Sequence, residues 1–465
     1  QGLACRLRLC LAVGKILHAV SLPFFTLIHC RDYTTFCPSG KGRSHRKFTN
    51  FPEKRRFTPV GLCDTLRWKF FPEGGGGVEV LAQILGAVKY IVKKADMVLL
   101  GICLTATAFG IVLIASATNY LGTDVQTRRL VIQAAATVIG IVAYFIASNV
   151  DVEQYAEKWW LFLIFNLGFI ALLIVFGEDD GTGNKSWIAI PGLTSIQPAE
   201  IVKLTFTVLL AKQMAWFRDN RGMRGLGSLV WPAAHMGLMV VWIFAISGDA
   251  GSALVYLMIF AGMACAAGLA WYWFAAGFTS LGVGIAALIL LDKMPAYMAN
   301  RFRVIFDHSF DPQGVGWQQT RSLMAIGSGG VFGQGLFQGI QTQSALSENL
   351  PERHTDLIFA VCGEELGLVG CLIIILIEFL VVWRCIQTAR IASTTMGSLI
   401  CVGFASMLIF QTVENIGMCL FVMPVIGLTL PFFSYGGSSI VTLFTAMGIV
   451  SGVRSRTLPD WLRKT

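Results

Sequence analysis

The sequence predicts an all-α integral membrane protein of about ten transmembrane helices, and three observations carry that reading. Of 465 residues, 55% are apolar and 14% charged, where soluble domains hold about a quarter charged. Apolar runs of roughly twenty residues recur, each long enough for a bilayer core of about 30 Å. Lys and Arg gather in alternate short connections, the asymmetry that orients polytopic proteins. Outer-membrane barrels are excluded, because their short strands alternate polar and apolar residues.

Residues 1–95 read as a basic N-terminal extension of unknown role, densest at "KGRSHRKFTNFPEKRRF". It suits an anionic membrane surface, or it reflects a misplaced start. "LCLAVGKILHAVSLPFFTLI", interrupted by Lys15, His18 and Pro23, is a poor signal sequence or span. Residues 96–457 form the membrane domain, with spans expected near 97–118, 130–148, 159–177, 198–216, 229–247, 251–269, 271–292, 356–383, 395–421 and 432–453. Residues 458–465 are a short cytoplasmic tail. No internal repeat is evident, which counts against inverted-repeat transporters.

Lys89, Lys93 and Lys94, then Arg218, Arg221 and Arg224, then Arg384 and Arg390, then Arg454, Arg456, Arg463 and Lys464 fall on one side if the spans are even in number. That side is the cytoplasm, and both ends of the membrane domain face it. The long connection 293–355 is then extracytoplasmic, and its aromatic, Gly-rich composition predicts an ordered lid. The cysteines are scattered singly and predict neither a disulfide framework nor a structural metal site.

Four polar patches interrupt the apolar background. In "NKSWIAIPGLTSIQPAEIVKL", Glu200 and Lys203 share a helix face and can pair, while Trp187 is an interfacial anchor or a substrate contact. In "SGDAGSALVYL", Asp249 reads as a helix cap. The large loop carries Arg301 and Arg303, whose forks suit phosphate oxygens, and Gln318. Asp311, in "FDPQGVGWQQ", is a turn aspartate or a catalytic carboxylate. The fourth patch joins "LPERHTDLIFAVCGEELGLVG" to "LPFFSYGGSS". Glu364 and Glu365 lie there in an apolar run, where each charge costs about 2.5–3.5 kcal/mol on insertion scales, so both should face the bundle interior. Gly436 and Gly437 permit close helix approach or a break that lines a cavity.

These motifs, in this order, resemble the SEDS family (RodA/FtsW/SpoVE) from about Met97 to the C-terminus. The matching pieces are "SWI…QPAEIVKL", "GDAGSAL", "DPQGVGWQQTRSLMAIGSGGVFGQGL", "LPERHTDLIFAVCGEELGLVG" and "NIGMCLFVMPVIGLTLPFFSYGGSS". The resemblance implies a peptidoglycan glycosyltransferase, a hexosyltransferase that polymerises lipid II outside the bacterial cytoplasmic membrane. It places the essential carboxylate at Asp311, as the base for the attacking sugar hydroxyl. The pyrophosphate leaving group would be neutralised by Arg301, Arg303 or Lys203, or by a divalent cation, Mg or Mn, whose ligands stay unassigned. Gln318, Glu200, Trp187, Glu352 and His354 are further substrate-binding candidates. Asp249, Asp356, Glu364, Glu365, Ser434, Gly436 and Gly437 belong to the structural signature. The implied partners are lipid II, membrane lipids and a class B penicillin-binding protein, with no nucleic acid.

The chain departs from the family at "SGDAGSAL", where Pro more often precedes the Asp, and at Lys185 and Ser186, where Arg is common. "VENIGMCLFVMPVIGLTLPFFSYGGSS" and the short basic C-terminus look closer to the elongation (RodA) branch than to the division (FtsW) branch. Two other function classes stay open: a lipid II flippase or other transporter, and a scaffold that only activates a partner enzyme.

Overall fold

The computed structural model describes residues 92–178, 185–189, 195–223, 225–290, 315–344 and 350–457, with 86 and 304 singly. The chain divides into two compact units, His18–Lys93 and the remainder, and the membrane body lies in the second. Seven long helices come first: α1 (Met97–Thr118), α2 (Thr123–Asn149), α3 (Trp159–Phe176), α4 (Pro198–Asn220), α5 (Leu226–Ser247), α6 (Ala250–Ala267) and α7 (Trp271–Leu290). Then follow α8 (Val315–Gly329), α9 (Ile358–Glu365), α10 (Gly367–Ile391), α11 (Thr395–Cys419) and α12 (Gly437–Thr457). Among the described residues, 8 helical segments are long and apolar enough to cross a bilayer. The chain is a multi-pass helical membrane protein.

A helix coincides with each expected span, but two spans differ in form. The expected 356–383 is broken: α9 ends at Glu365, and Gly367, at φ +66°, starts α10 in a new direction. The break follows from backbone crowding, since a Cβ at Gly367 or Gly333 would collide with the other strand of chain. The last span begins at Gly437 rather than 432. Before it, Leu430–Tyr435 is irregular chain packed into the bundle, where a Cβ on Gly110 of α1 would lie 2.7 Å from Phe433 Cα. Irregular backbone at such depth is tolerated where protein buries it. Unexpected from the sequence is a small antiparallel sheet between α3 and α4, made of β1 (Gly177–Glu178), β2 (Trp187–Ala189) and β3 (Ser195–Ile196).

The closest helix pairing is α2 against α12. Gly448 and Gly452, four residues apart, face α2 so tightly that a Cβ on Gly448 would sit 2.5 Å from Tyr144 O. Small residues at this spacing let membrane helices approach without a hydrophobic driving force. One end of this pair is tied by Asp96, which caps α1 through the amides of Val98 and Leu99. Its carboxylate also takes Arg384 Nε and Nη2 at 2.8 and 2.9 Å, and Arg454 Nε at 3.4 Å. The Asp96 amide donates to Ser451 Oγ (2.8 Å), and Tyr144 Oη donates to the Asp96 carbonyl (2.6 Å). This knot joins α1, α2, α10 and α12 at the Lys- and Arg-rich end. α1, of 22 residues, carries the chain about 33 Å to the other end.

Candidate functional site

At that far end, α9 and its flanking loops are fixed by Glu364 and Glu365, both fully buried (0% exposed). Glu364 accepts from the amides of Gln341 and Thr342 (2.8 Å each) and from Thr342 Oγ1 (2.6 Å). Glu365 accepts from Ser116 Oγ of α1 (2.6 Å) and Gln343 Nε2 (2.9 Å). The backbone joins in: Gln334 N and Gly335 N donate to the carbonyls of Glu364 and Glu365 (3.0 and 2.9 Å). The two signature carboxylates therefore bind donors of the preceding loop and of α1, and their cost in the apolar run is offset by these hydrogen bonds.

Arg353 completes the fixture, although nothing in its sequence context distinguishes it from its charged neighbours. It is 1% exposed. It donates to the carbonyls of Leu350 (3.0 Å), Ser344 (3.1 Å) and Thr342, and lies 3.7 Å from the Tyr120 ring centroid. A planar fork with five donors suits a pocket of converging carbonyls.

Next to this frame, His354, Thr355 and Asp356 carry the chain into contact with the irregular segment before α12. Ser434 Oγ donates to Thr355 O (2.6 Å), Tyr435 N to His354 O (2.9 Å), and Asn415 Nδ2 of α11 to Asp356 O (2.7 Å). Gly436 N donates to Gln133 Oε1 of α2 (3.1 Å). Glu352 has left-handed backbone (φ +46°), as has Phe432 (φ +61°), strain of a kind that gathers at functional sites.

Electrostatics mark the same place. Burial, then the carboxylates of Glu352 and Asp249, push Asp356 up to about 7. Burial, then Arg129 and Arg353, hold the His354 imidazole down to about 4. Arg129 and Arg128 also act on the Tyr435 phenol, which burial raises. Buried Arg129 Nη1 and buried Ser438 Oγ, in the first turn of α12, have no hydrogen-bond partner among the described residues. A guanidinium, a helix N-terminus and an unpaired hydroxyl are the parts of an anion site. Arg129 was not among the expected residues.

The first two polar patches reach this end as well. Gln197 Nε2, before α4, donates to Asp249 Oδ2 (2.9 Å), while Asp249 caps α6 through Ser252 N (2.9 Å). A Cβ on Gly251 would lie 2.7 Å from Ile426 O, so α6 abuts the chain leading to the α12 segment. Lys203 is fully buried, 2.5 Å from Glu200 Oε1, so this pair is closed rather than open to a phosphate. Trp187 lies half-buried in β2 and Gln318 half-buried in α8. Its neighbour Gln319 is the buried one, donating to Met423 O at 2.7 Å and Met418 O at 3.3 Å and docking α8 onto the end of α11. Arg301, Arg303 and Asp311 lie outside the described residues.

Two further buried carboxylates were missed in the sequence: Glu378 within α10 and Glu414 within α11. Glu414 has no hydrogen-bond partner among the described residues, and Glu378 has Thr412 of α11 beside it. An ionisable residue inside an apolar run is a signal that could have found both. Among the described residues no three His, Cys, Asp or Glu side chains form a cation site, so they offer no ligand set for a divalent metal.

A polytopic bundle with one ion-paired end and one end of buried, hydrogen-bonded acids defines an integral membrane protein with a polar cluster at one end. Similarity to known proteins narrows that class. The "Cell cycle protein" profile (FtsW/RodA/SpoVE) matches residues 96–457. A probable peptidoglycan glycosyltransferase FtsW of Trichlorobacter lovleyi is 30% identical over 370 residues, 77% of this chain and 92% of that protein. Stage V sporulation protein E of Bacillus subtilis is 34% identical over 319 residues, 68% of this chain and 84% of that one. The crystal structure of the rod shape determining protein RodA of Thermus thermophilus has a TM-score of 0.54 at 27% identity, covering 79% of this chain and 98% of that chain. A chain from a structure of a peptidoglycan synthase complex gives 0.66 at 27% identity, covering 79% and 99%. The protein belongs to the FtsW/RodA/SpoVE (SEDS) family and is a peptidoglycan glycosyltransferase.

Proposed function

We propose that the chain polymerises lipid II at the extracytoplasmic face of the bacterial cytoplasmic membrane, with ten spans and both ends of the membrane domain inside. The observation that carries this reading is convergence. Three polar patches distant in sequence meet at the end opposite the basic knot, through Gln197–Asp249, Gly251–Ile426 and Ser434–Thr355. Asp311, in the sequence just before α8, acts as general base, accepting the proton of the sugar hydroxyl as its oxygen attacks the lipid-linked anomeric carbon. The C–O bond to pyrophosphate breaks as the new glycosidic bond forms, so the leaving group needs positive charge. Arg129, with the first turn of α12, joins Arg301 and Arg303 in that role. Glu364, Glu365 and Arg353 hold the loop that faces the substrate, because a displaced base loses most of its advantage.

A divalent cation, magnesium or manganese, assists polymerisation in this reading, and a class B penicillin-binding protein is the partner that crosslinks the strands. The similar peptidoglycan synthase complex, in which polymerisation and crosslinking are structurally coordinated, supports that partner. The purified protein with a class B partner should make glycan polymer from lipid II, and chelation should stop it. Absence of polymer, with lipid II crossing vesicle bilayers instead, would replace the reading by transport.

Two cellular roles follow from the same chemistry. The segment "VENIGMCLFVMPVIGLTLPFFSYGGSS" supports elongation. The names of the relatives, FtsW and stage V sporulation protein E, support division or sporulation. Depletion separates them: rounded cells mark elongation, filaments mark division.

A further inference from the structure

At the basic end, away from the candidate site, α3, α4 and α5 leave a groove of about 680 Å³ between them. That is the size of small-molecule sites, about 300–1,000 Å³. Its walls are apolar, with Leu163, Leu209 and Leu238 along the trough and Trp159, Trp216 and Trp231 at its rim. The three tryptophans are 49–70% exposed, as residues at a headgroup boundary are.

Two polar groups inside the groove are incompletely matched. Lys212 lines it and reaches toward the basic end, donating to Ala156 O (2.5 Å), with no carboxylate within ion-pair distance among the described residues. An ammonium has three protons to give, so donors remain. His235 is 7% exposed, and its Nδ1 lies 3.2 Å from Gln213 Oε1. Its Nε2 has no partner among the described residues.

The rim is positive. Arg221 sits over the ring of the rim residue Trp216 (5.2 Å), while Arg218 turns away to α6 and donates to Ala266 O (3.2 Å). Of the nearby acids, Asp219 accepts from Thr395 Oγ1 of α11 (2.9 Å) and Glu157 is exposed.

We propose that this groove is a binding site for one anionic glycerophospholipid of the leaflet at the basic end. An acyl chain fills the leucine trough, the phosphate meets Lys212 and Arg221 at the rim, and water at the glycerol level satisfies His235 Nε2. Charge complementarity selects an anionic headgroup over a zwitterionic one. An apolar partner helix would fit the trough but leave Lys212 and His235 unmatched in a low-dielectric site.

The test is native mass spectrometry of the full-length protein released from vesicles of equal phosphatidylglycerol and phosphatidylcholine. Wild type should retain phosphatidylglycerol in preference. Lys212→Met should lower that preference about fivefold, and Lys212→Arg should keep it. Ala234→Trp, which fills the groove from an exposed position, should remove the retained lipid and provide a second variant if Lys212→Met does not fold. Equal retention of both lipids, or a preference unmoved by both Lys212→Met and Ala234→Trp, overturns the proposal. So does a copurifying protein helix crosslinked into the groove in place of lipid.

Discussion

The two ends of the bundle solve the problem of buried charge in different ways. At the basic end, the Asp96 carboxylate is matched by two arginines and its backbone by a serine and a tyrosine, so opposite charges meet across four helices. At the far end, Glu364 and Glu365 are matched by amides and hydroxyls, which satisfy hydrogen bonding without cancelling charge. Around them, Arg129 Nη1, Ser438 Oγ and Glu414 keep buried atoms unpaired. The Asp96 carboxylate is fully paired without a ligand, although Arg456 Nη2 of α12 has no partner among the described residues; the second arrangement lacks partners that a charged substrate could supply. A buried network left unfinished is expensive, which is why it marks function more clearly than a finished one.

The largest expected effect tests the finished end. Asp96→Ala strands Arg384 and Arg454 and removes a helix cap, costing about 3 kcal/mol, the low end for a broken buried pair because both arginines keep some water. Thermal unfolding of the purified protein should show it as a clear drop in the midpoint. An unchanged midpoint would mean the knot is decoration. Next, Glu364→Ala leaves the Gln341 and Thr342 amides without their acceptor, costing about 2 kcal/mol. It should also increase proteolysis of the 330–344 loop, a readout that Asp96→Ala should leave unmoved.

A third effect is on pH dependence. Asp356 is pushed up to about 7 in the fold, against about 3.9 when unfolded. Between those values the folded chain binds the extra proton, so this group's contribution to stability is full below about pH 4 and declines as pH rises to about 7. Asp356→Asn should flatten the unfolding midpoint between pH 4.5 and 7 relative to wild type. A slope identical in both proteins would remove Asp356 from the acidic cluster.

Much of this architecture was legible before the structure. Apolar runs located the helices, and Asp249 read correctly as a cap, because both signals are local. The break at Gly367 and the irregular Leu430–Tyr435 were not, because "GEELGLVG" and "LPFFSYGG" are apolar enough to continue a helix; tertiary crowding at Gly333 and Gly110 decides them. Asp96 was overlooked for a similar reason. Only the return of α10 and α12 supplies its arginines, which nothing local to Lys93–Asp96 announces. Lys203 and Glu200 paired as their spacing suggested, but their burial could not be read from three residues of separation.

The central claim is that chemistry belongs to the end opposite the Asp96 knot, with Asp311 as base. The direct measurement is lipid II polymerisation by the purified protein with a class B partner and divalent cation, comparing wild type with Asp311→Asn and Asp311→Ala. Wild type should yield long glycan chains and neither variant any, with midpoint of unfolding and partner binding unchanged. Polymer of normal length from both variants would contradict the claim.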